Sequence, residues 1–149
     1  MDHPRLAHIT VDCEHAESLA SFWAQVLGWE VAPGASEEFA SVGGANRPAD
    51  TPNWLFFKVP EGKTAKNRMH VDLRTNDLTA EVERLLELGA TVVHEKSESG
   101  TRWFTLTDPE GNEFCVFVPE PRSGDRQTSD QQNRDGEDRQ NLTENEQAR

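Results

Sequence analysis

The chain lacks the features of a disulfide-stapled, secreted or membrane-spanning protein. It contains only two cysteines, Cys13 and Cys115, which lie far apart and form no CxxC motif, so the sequence indicates neither a disulfide framework nor a zinc knuckle. No apolar run reaches the roughly 18 residues that a membrane span needs. Residues 1–5 lead directly into a strand pattern instead of the apolar region of a signal peptide. We therefore expect a cytoplasmic protein without a membrane partner.

Positive charge is also scarce. The 149 residues include 15 Lys and Arg against 27 Asp and Glu, which gives a net charge of -12. Binding to the phosphate backbone of nucleic acid depends on clustered cations that release counterions. The composition thus argues against a nucleic-acid partner and favours a small-molecule ligand.

Large apolar side chains almost disappear after Pro119. In residues 120–149 acidic side chains outnumber arginines, and Leu142 is the single large aliphatic residue. Such a segment cannot offset its ordering entropy by burial. We predict one domain over residues 5–119, followed by a disordered polar tail over residues 120–149 that is solubilising or, alternatively, a docking segment.

What the chain does contain is an internal repeat, and each copy opens on a histidine. His8 and His70 each begin a strand-like alternation, which is followed by a helix-like pattern that ends in Leu-Gly. The first helix is predicted to span Ala16 to Leu27, with residues 12–14 supplying its cap and N-terminal acid. Asn76 or Asp77 is predicted to cap the second helix. Three short strands follow each helix, so the unit is βαβββ, with modules over about residues 5–60 and 68–119.

Two sequence runs add to this repeat, namely Asp-Pro-Glu-Gly-Asn-Glu-Phe at 108–114 and Lys-Asn-Arg-Met-His-Val-Asp-Leu at 66–73. Together the paired modules, their histidines and these runs resemble the vicinal oxygen chelate superfamily, and within it the glyoxalase-like domain proteins. The resemblance implies an α+β fold in which paired βαβββ modules form an incomplete eight-stranded barrel. This superfamily includes glyoxalases, epimerases, extradiol dioxygenases, fosfomycin-modifying transferases and bleomycin-sequestering proteins, so fold does not fix the reaction.

In such modules the helix covers the convex face of each sheet and the concave face holds the ligand. Strand alternation assigns the apolar positions to the helix and leaves the other positions for the cavity. The residues predicted to face the cavity are His8, Thr10, Asp12, Trp54, Phe56, His70, Asp72, Trp103, Thr105, Glu113 and Cys115. Of these, the predicted substrate pocket consists of Thr10, Trp54, Phe56, Asp72, Trp103, Thr105 and Cys115.

Two imidazoles and one carboxylate on three strands match the ligands of a catalytic zinc site or a facial-triad iron site. The resemblance implies metal ligation at His8, His70 and Glu113, and at a fourth position that we assign to Trp54, which cannot ligate. The three-ligand pattern of the fosfomycin-modifying transferases is thus intact, whereas the four-ligand pattern of glyoxalase I is broken. Zn, Mn, Ni, Co and Fe all accept this ligand set.

Two functional hypotheses remain open at this point. The first is a divalent-metal-dependent lyase, isomerase or small-molecule transferase acting on a bidentate oxygen substrate, with its catalytic residues unknown. The second is a metal-free drug-binding protein of the bleomycin-resistance type, in which Trp54, Phe56 and Trp103 sandwich an aromatic ligand. In the metal-free case His70 and Glu113 form a polar network with each other or with nearby arginines.

The resemblance also implies a homodimer. Half barrels of this superfamily often combine between two chains, so His8 of one subunit meets His70 and Glu113 of either the same chain or its partner. The sequence leaves both arrangements open.

Overall fold

The computed structural model describes residues 3–119. The predicted tail over residues 120–149 lies outside the described residues. Two helices and eight strands follow one another in the order β1 (His8–Cys13), α1 (Ala16–Leu27), β2 (Glu30–Val31), β3 (Phe39–Gly43), β4 (Asn53–Lys58), β5 (Asp72–Arg74), α2 (Leu78–Leu88), β6 (Thr91–Glu98), β7 (Thr101–Thr107) and β8 (Glu113–Phe117).

The strands form two sheets of four with the same internal order. The first sheet has the order β1-β4-β3-β2 and the second has the order β5-β8-β7-β6. In each sheet the first strand of the module pairs in parallel with its last strand, while the remaining pairs are antiparallel. The predicted α+β fold of paired βαβββ modules is confirmed, and within residues 3–119 the two sheets do not close into a barrel.

Helix α1 has the predicted bounds, but its N-terminal cap differs from the prediction. It ends at Gly28, whose φ of 67° is the left-handed conformation that glycine adopts without strain. The N-cap residue is His15, and its side chain makes no capping hydrogen bond. Instead, the carboxylate of Glu110 accepts hydrogen bonds from the backbone N–H groups of Glu14 and His15, at 2.8 and 2.9 Å. The acid that serves this helix therefore comes from the second module.

Helix α2 is capped locally. The side chain of Asp77 accepts a hydrogen bond from the backbone N–H of Ala80 at 3.0 Å, so the prediction of Asp77 as a cap is confirmed. Its C-terminal end also closes on a left-handed glycine, Gly89, with φ of 111°. Both helices thus end at the predicted glycine, and α2 also begins at its predicted cap.

The core runs from α1 into the second sheet. Trp23 packs edge-on against Phe114 of β8, with ring centroids 5.1 Å apart, and Phe22 lies 6.4 Å from the same ring. Phe114 is fully buried. The aromatic residues of α1 therefore join the two modules, which is why both modules share one hydrophobic cluster.

The turn between β7 and β8 adds polar contacts to this junction. Asp108 is buried, and its carboxylate accepts a hydrogen bond from the indole N–H of Trp23 at 3.1 Å. The same carboxylate accepts bonds from the backbone N–H groups of Glu110 and Asn112. The Asp-Pro-Glu-Gly-Asn run is thus a turn that also holds the first module against the second.

Among the described helices, none has the length and apolar character needed to cross a bilayer.

Candidate functional site

The register of the first sheet decides which side chains face away from α1. His8 lies opposite Asn53 and Thr10 opposite Leu55, whereas Ile9 lies opposite Trp54. Residues that are directly opposite in neighbouring strands point to the same face. His8 and Thr10 therefore share one face of the sheet, and Trp54 points to the other.

This register corrects the strand face that was predicted for Trp54 and Phe56. Phe56 is fully buried against the helix side, so its assignment to the face of His8 is wrong. Trp54 is 6% exposed and its ring lies 4.7 Å from that of Trp23 in α1. The alternation along β4 was read correctly. The prediction placed Trp54 and Phe56 on the face of His8, however, and a register that differs by one residue moves both side chains to the opposite face of the sheet.

The register also moves the fourth ligand position. In the repeat, His8 corresponds to His70, and the residue opposite His8 on the last strand is Asn53. In the second module Asp72 lies opposite Cys115, which brings Glu113 to the level of His70. Asn53, not Trp54, is therefore the counterpart of Glu113. The first module still has no carboxylate at this position.

The second sheet gathers the remaining predicted residues on the face that points away from the core. Cys115 lies opposite Asp72 on one side and opposite Thr105 on the other. Trp103 lies opposite Phe117 in the same sheet. Four of the seven predicted pocket residues thus share one face.

A cavity of about 270 Å³ lies where β1 approaches the segment before β5. We call it the junction cavity. Thr10, Trp54, His70 and Glu113 are among its lining residues, and His8 is not. Among residues 3–119, no group containing all of His8, His70 and Glu113 has its ligand atoms within 4.8 Å of one another. The chain by itself thus brings His70 and Glu113 to one cavity and leaves His8 outside that cavity.

Glu113 is held in its ionised form. Its carboxylate accepts a hydrogen bond from the backbone N–H of Asn67 at 2.9 Å, and Lys63 Nζ lies 3.3 Å from Glu113 Oε2. The bond from Asn67 and, to a smaller extent, the ammonium of Lys63 lower the pKa of Glu113 below its ordinary value. An ionised carboxylate is the form that a metal ion binds.

His70 also belongs to a second group of donors. His70 Nε2 is 3.4 Å from Asp72 Oδ1, and one ligand atom each from His70, Asp72 and Cys115 lie within 4.8 Å of one another. Burial, followed by the charge of Asp72, raises the pKa of the Cys115 thiol, and its Sγ lies 3.4 Å from Thr105 Oγ1. The contacts of His70 and Glu113 thus differ from the predicted polar network, because their partners are Asp72 and Lys63 and not each other or an arginine.

A second cavity of about 360 Å³ opens over this group. We call it the aromatic cavity. The residues that line it are His70, Asp72, Thr101, Trp103, Cys115 and Phe117. His70 therefore lines both cavities, and Trp103 is the one predicted stacking residue that lines the aromatic cavity.

The sequence did not predict four contacts that shape the site and its surroundings. Asp108 and Glu110 bind to α1 and the residues before it, and Lys63 and Asn67 bind to Glu113. Lys63 and Asn67 precede β5, yet they contact Glu113 some fifty residues later in the chain. No spacing pattern signals such a contact, because it depends on how the segment between the modules folds back.

Comparison with known families gives one match over most of the chain. A family model described as a glyoxalase-like domain matches residues 8–117. No curated protein matches the chain. The matched range includes both modules and all the predicted ligand and pocket residues.

Solved structures with the same fold come from several bacteria. The chain is similar to a glyoxalase/bleomycin resistance protein/dioxygenase family enzyme from Burkholderia phytofirmans PsJN, with 15% identity, coverage of 77% of this chain and 98% of that chain, and a TM-score of 0.63. It is similar to a fosfomycin resistance protein from Listeria monocytogenes, with 14% identity, coverage of 79% and 95%, and a TM-score of 0.62. It is also similar to a lactoylglutathione lyase from Agrobacterium tumefaciens, with 14% identity, coverage of 82% and 98%, and a TM-score of 0.55. At these identities the likeness establishes the fold.

Proposed function

Because the chain belongs to the glyoxalase-like domain family, we propose that it is a divalent-metal-dependent enzyme acting on a small molecule that offers two neighbouring oxygen atoms. The proposed ligands are His70 and Glu113 of one chain and His8 of a second copy. The observation that carries this proposal is that His70 and Glu113 line the same cavity, while His8 lies outside it.

The donor chemistry fits such an ion. Glu113 is ionised and oriented by Asn67 and Lys63, and His70 is partly exposed, with 42% of its side-chain surface accessible. Two imidazole nitrogens and one carboxylate leave coordination positions open for a substrate. When bound, the ion would polarise a substrate oxygen or activate a water molecule.

A dimer would complete the site. His8 is exposed on the polar face of an edge strand, and so it is free to meet another chain. A twofold dimer would repeat this contact and create two equivalent sites, each with residues from both chains.

The chain's own residues narrow the reaction. Lys63 Nζ lies beside the proposed site and is suited to bind an anionic group of the substrate. Asn53 stands at the position where an isomerase of this type would need a basic carboxylate, and an amide cannot take up a proton there. Among the lyase, isomerase and transferase reactions, we therefore favour a small-molecule transferase.

The metal-free drug-binding alternative depended on three aromatic side chains on one face. Phe56 is buried in the core and Trp54 is stacked on Trp23. Trp103 is the member of that set that still borders the aromatic cavity. This arrangement favours the metal-dependent function.

Elemental analysis of the full chain, purified without chelators, tests the proposal. After addition of Mn²⁺ and removal of unbound ions, we expect about one Mn²⁺ per chain, lost in His8→Ala, His70→Ala and Glu113→Gln. His94→Ala is a matched control because His94 lies on the exposed strand β6, and it should keep the ion. Absence of metal from the purified protein, together with no binding of added Mn, Zn, Ni, Co or Fe, would contradict the proposal and return attention to aromatic ligands.

A further inference from the structure

The polar face of the second sheet carries three different donor atoms that meet without a second chain. Asp72 and Cys115 are directly opposite on the neighbouring strands β5 and β8. His70 lies two residues before Asp72, and its Nε2 is 3.4 Å from Asp72 Oδ1. The ligand atoms of all three residues lie within 4.8 Å of one another. We call these residues the His-Asp-Cys cluster.

The donor types select a class of metal ion. A thiolate combined with an imidazole and a carboxylate suits borderline-soft ions such as Zn²⁺, Co²⁺ or Cd²⁺, whereas Mg²⁺, Ca²⁺ and Mn²⁺ prefer oxygen donors. Two of the three side chains are exposed and Cys115 is partly exposed, so an ion can enter from solvent. Three protein ligands also leave one coordination position of a tetrahedral ion open.

We propose that the His-Asp-Cys cluster is a binding site for a thiophilic divalent cation, distinct from the site formed with Glu113 and His8 although both sites use His70. On binding, the thiol of Cys115 loses its proton to solvent and a sulfur–metal bond forms. The open position faces the aromatic cavity, whose walls include Trp103 and Phe117. A small ligand with one soft or anionic donor atom and an apolar body suits that position.

His70 belongs to both ligand sets. An ion in the cluster therefore occupies the imidazole that the proposed site with Glu113 also needs, and the two sites compete. Thiophilic ions select the cluster because it alone offers sulfur, and Mn²⁺ selects the Glu113 site. This competition makes the two proposals separable by the choice of ion and of variant.

Titration of the metal-free full chain with Co²⁺ and with Cd²⁺ tests the cluster directly. Thiolate coordination gives a near-ultraviolet charge-transfer absorption, which we expect to saturate at about one equivalent. Cys115→Ser should abolish this band, and Asp72→Asn should weaken the binding by at least about tenfold. Glu113→Gln should leave the band unchanged even where it abolishes Mn²⁺ binding.

Cys13 is the matched control for the thiol. It is the other cysteine of the chain, it is 4% exposed, and its Sγ donates to the carbonyl oxygen of Phe57. Cys13→Ser should therefore keep the charge-transfer band. Absence of the band from the wild-type protein, or its persistence in Cys115→Ser, would overturn the proposal.

Alkylation gives a second readout that does not depend on a folded Cys115 variant. Iodoacetamide should label Cys115 of the wild-type protein, and one equivalent of Cd²⁺ should slow this labelling by at least about tenfold, because a thiolate bound to a cation is a weaker nucleophile than a free thiolate and is less accessible to the reagent. Unchanged labelling of Cys115 in the presence of Cd²⁺ would also overturn the proposal.

Discussion

The first and second sheets have the same strand order, but the helices that follow their first strands differ in burial. Helix α1 has seven buried residues, among them Phe22 and Trp23, and it contacts three strands of its own sheet. Helix α2 has three buried residues. The same βαβββ unit thus contributes most of the aromatic core in one copy and little of it in the other.

The polar face of the second sheet carries more possible metal ligands than the polar face of the first sheet. In the first sheet His8 lies opposite Asn53 and Thr10 lies opposite Leu55. Among these four residues, His8 is the one with a titratable side chain. In the second sheet the equivalent positions carry His70, Asp72, Glu113 and Cys115, all of which can ligate a metal. The first module therefore carries more of the buried aromatic core, and the second carries more side chains that can ligate a metal.

The largest loss of stability is expected at Phe114, the residue of the second module that packs against the aromatic residues of α1. Phe114→Ala should lower the free energy of unfolding by about 3–5 kcal/mol, because a fully buried ring leaves a cavity against Phe22 and Trp23. Phe39→Ala is the control, since Phe39 is 38% exposed, and it should cost about 1 kcal/mol or less. Urea unfolding measures both. Equal losses would show that the modules do not depend on this contact.

Asp108 tests the polar part of the same junction. Asp108→Ala should cost about 2–3 kcal/mol, because the indole N–H of Trp23 and the backbone N–H groups of the turn lose a buried carboxylate partner. The tryptophan emission of the chain, to which Trp23 contributes, should shift to longer wavelength as water reaches this indole. Asp50→Ala, at an exposed loop position, should change neither property. A variant of Asp108 as stable as the wild type would contradict the account of this turn.

The two helix caps sharpen the comparison further, since α1 is capped from the other module and α2 is capped locally. Glu110→Ala and Asp77→Ala should each cost about 1 kcal/mol, measured by urea unfolding. Glu110→Gln should retain part of this stability, because its amide oxygen still accepts one of the two N–H bonds at the start of α1. If Glu110→Ala has no effect while Asp77→Ala does, the cap across the modules is unimportant.

The smallest expected effect is an ion pair on the surface of the first module. Lys58 Nζ lies 2.6 Å from Glu37 Oε1, and its hydrogen bond lowers the pKa of Glu37. A carboxyl group whose pKa is lowered by folding stabilises the native state above its ordinary pKa, about 4.3 for glutamate, and loses that contribution as the pH falls through the lowered value. Glu37→Gln should thus lower the melting temperature slightly at neutral pH, with the difference vanishing in acid. A difference that grows in acid would contradict this assignment.

Much of the fold could be predicted because it follows from local patterns. The bounds of α1, the glycine that ends each helix and the cap at Asp77 all depend on residues close in sequence. The repeat then supplied the βαβββ order, because both copies carry the same succession of patterns. Resemblance to the superfamily extended this order to the pairing of modules.

The site was harder to predict because it depends on register and on contacts distant in sequence. Alternation along β4 was evident, but it could not tell whether Asn53 or Trp54 lies opposite His8, and the wrong choice sent Phe56 to the pocket. Glu110 caps a helix that begins some ninety residues earlier, and no local pattern predicts such a contact. The convergence of Cys115 with His70 likewise required the pairing of β5 with β8.

The most direct test of the proposed split site is subunit complementation with Mn²⁺, which the thiolate of Cys115 does not attract. The His8→Ala and His70→Ala chains should each bind no Mn²⁺. After the two are unfolded and refolded together in equal amounts, about half of the dimers are mixed, and each mixed dimer holds one intact site built from His8 of one chain and His70 with Glu113 of the other. The mixture should therefore recover about one quarter of the wild-type Mn²⁺ binding. A mixture that contains mixed dimers but recovers no Mn²⁺ binding would contradict the split site.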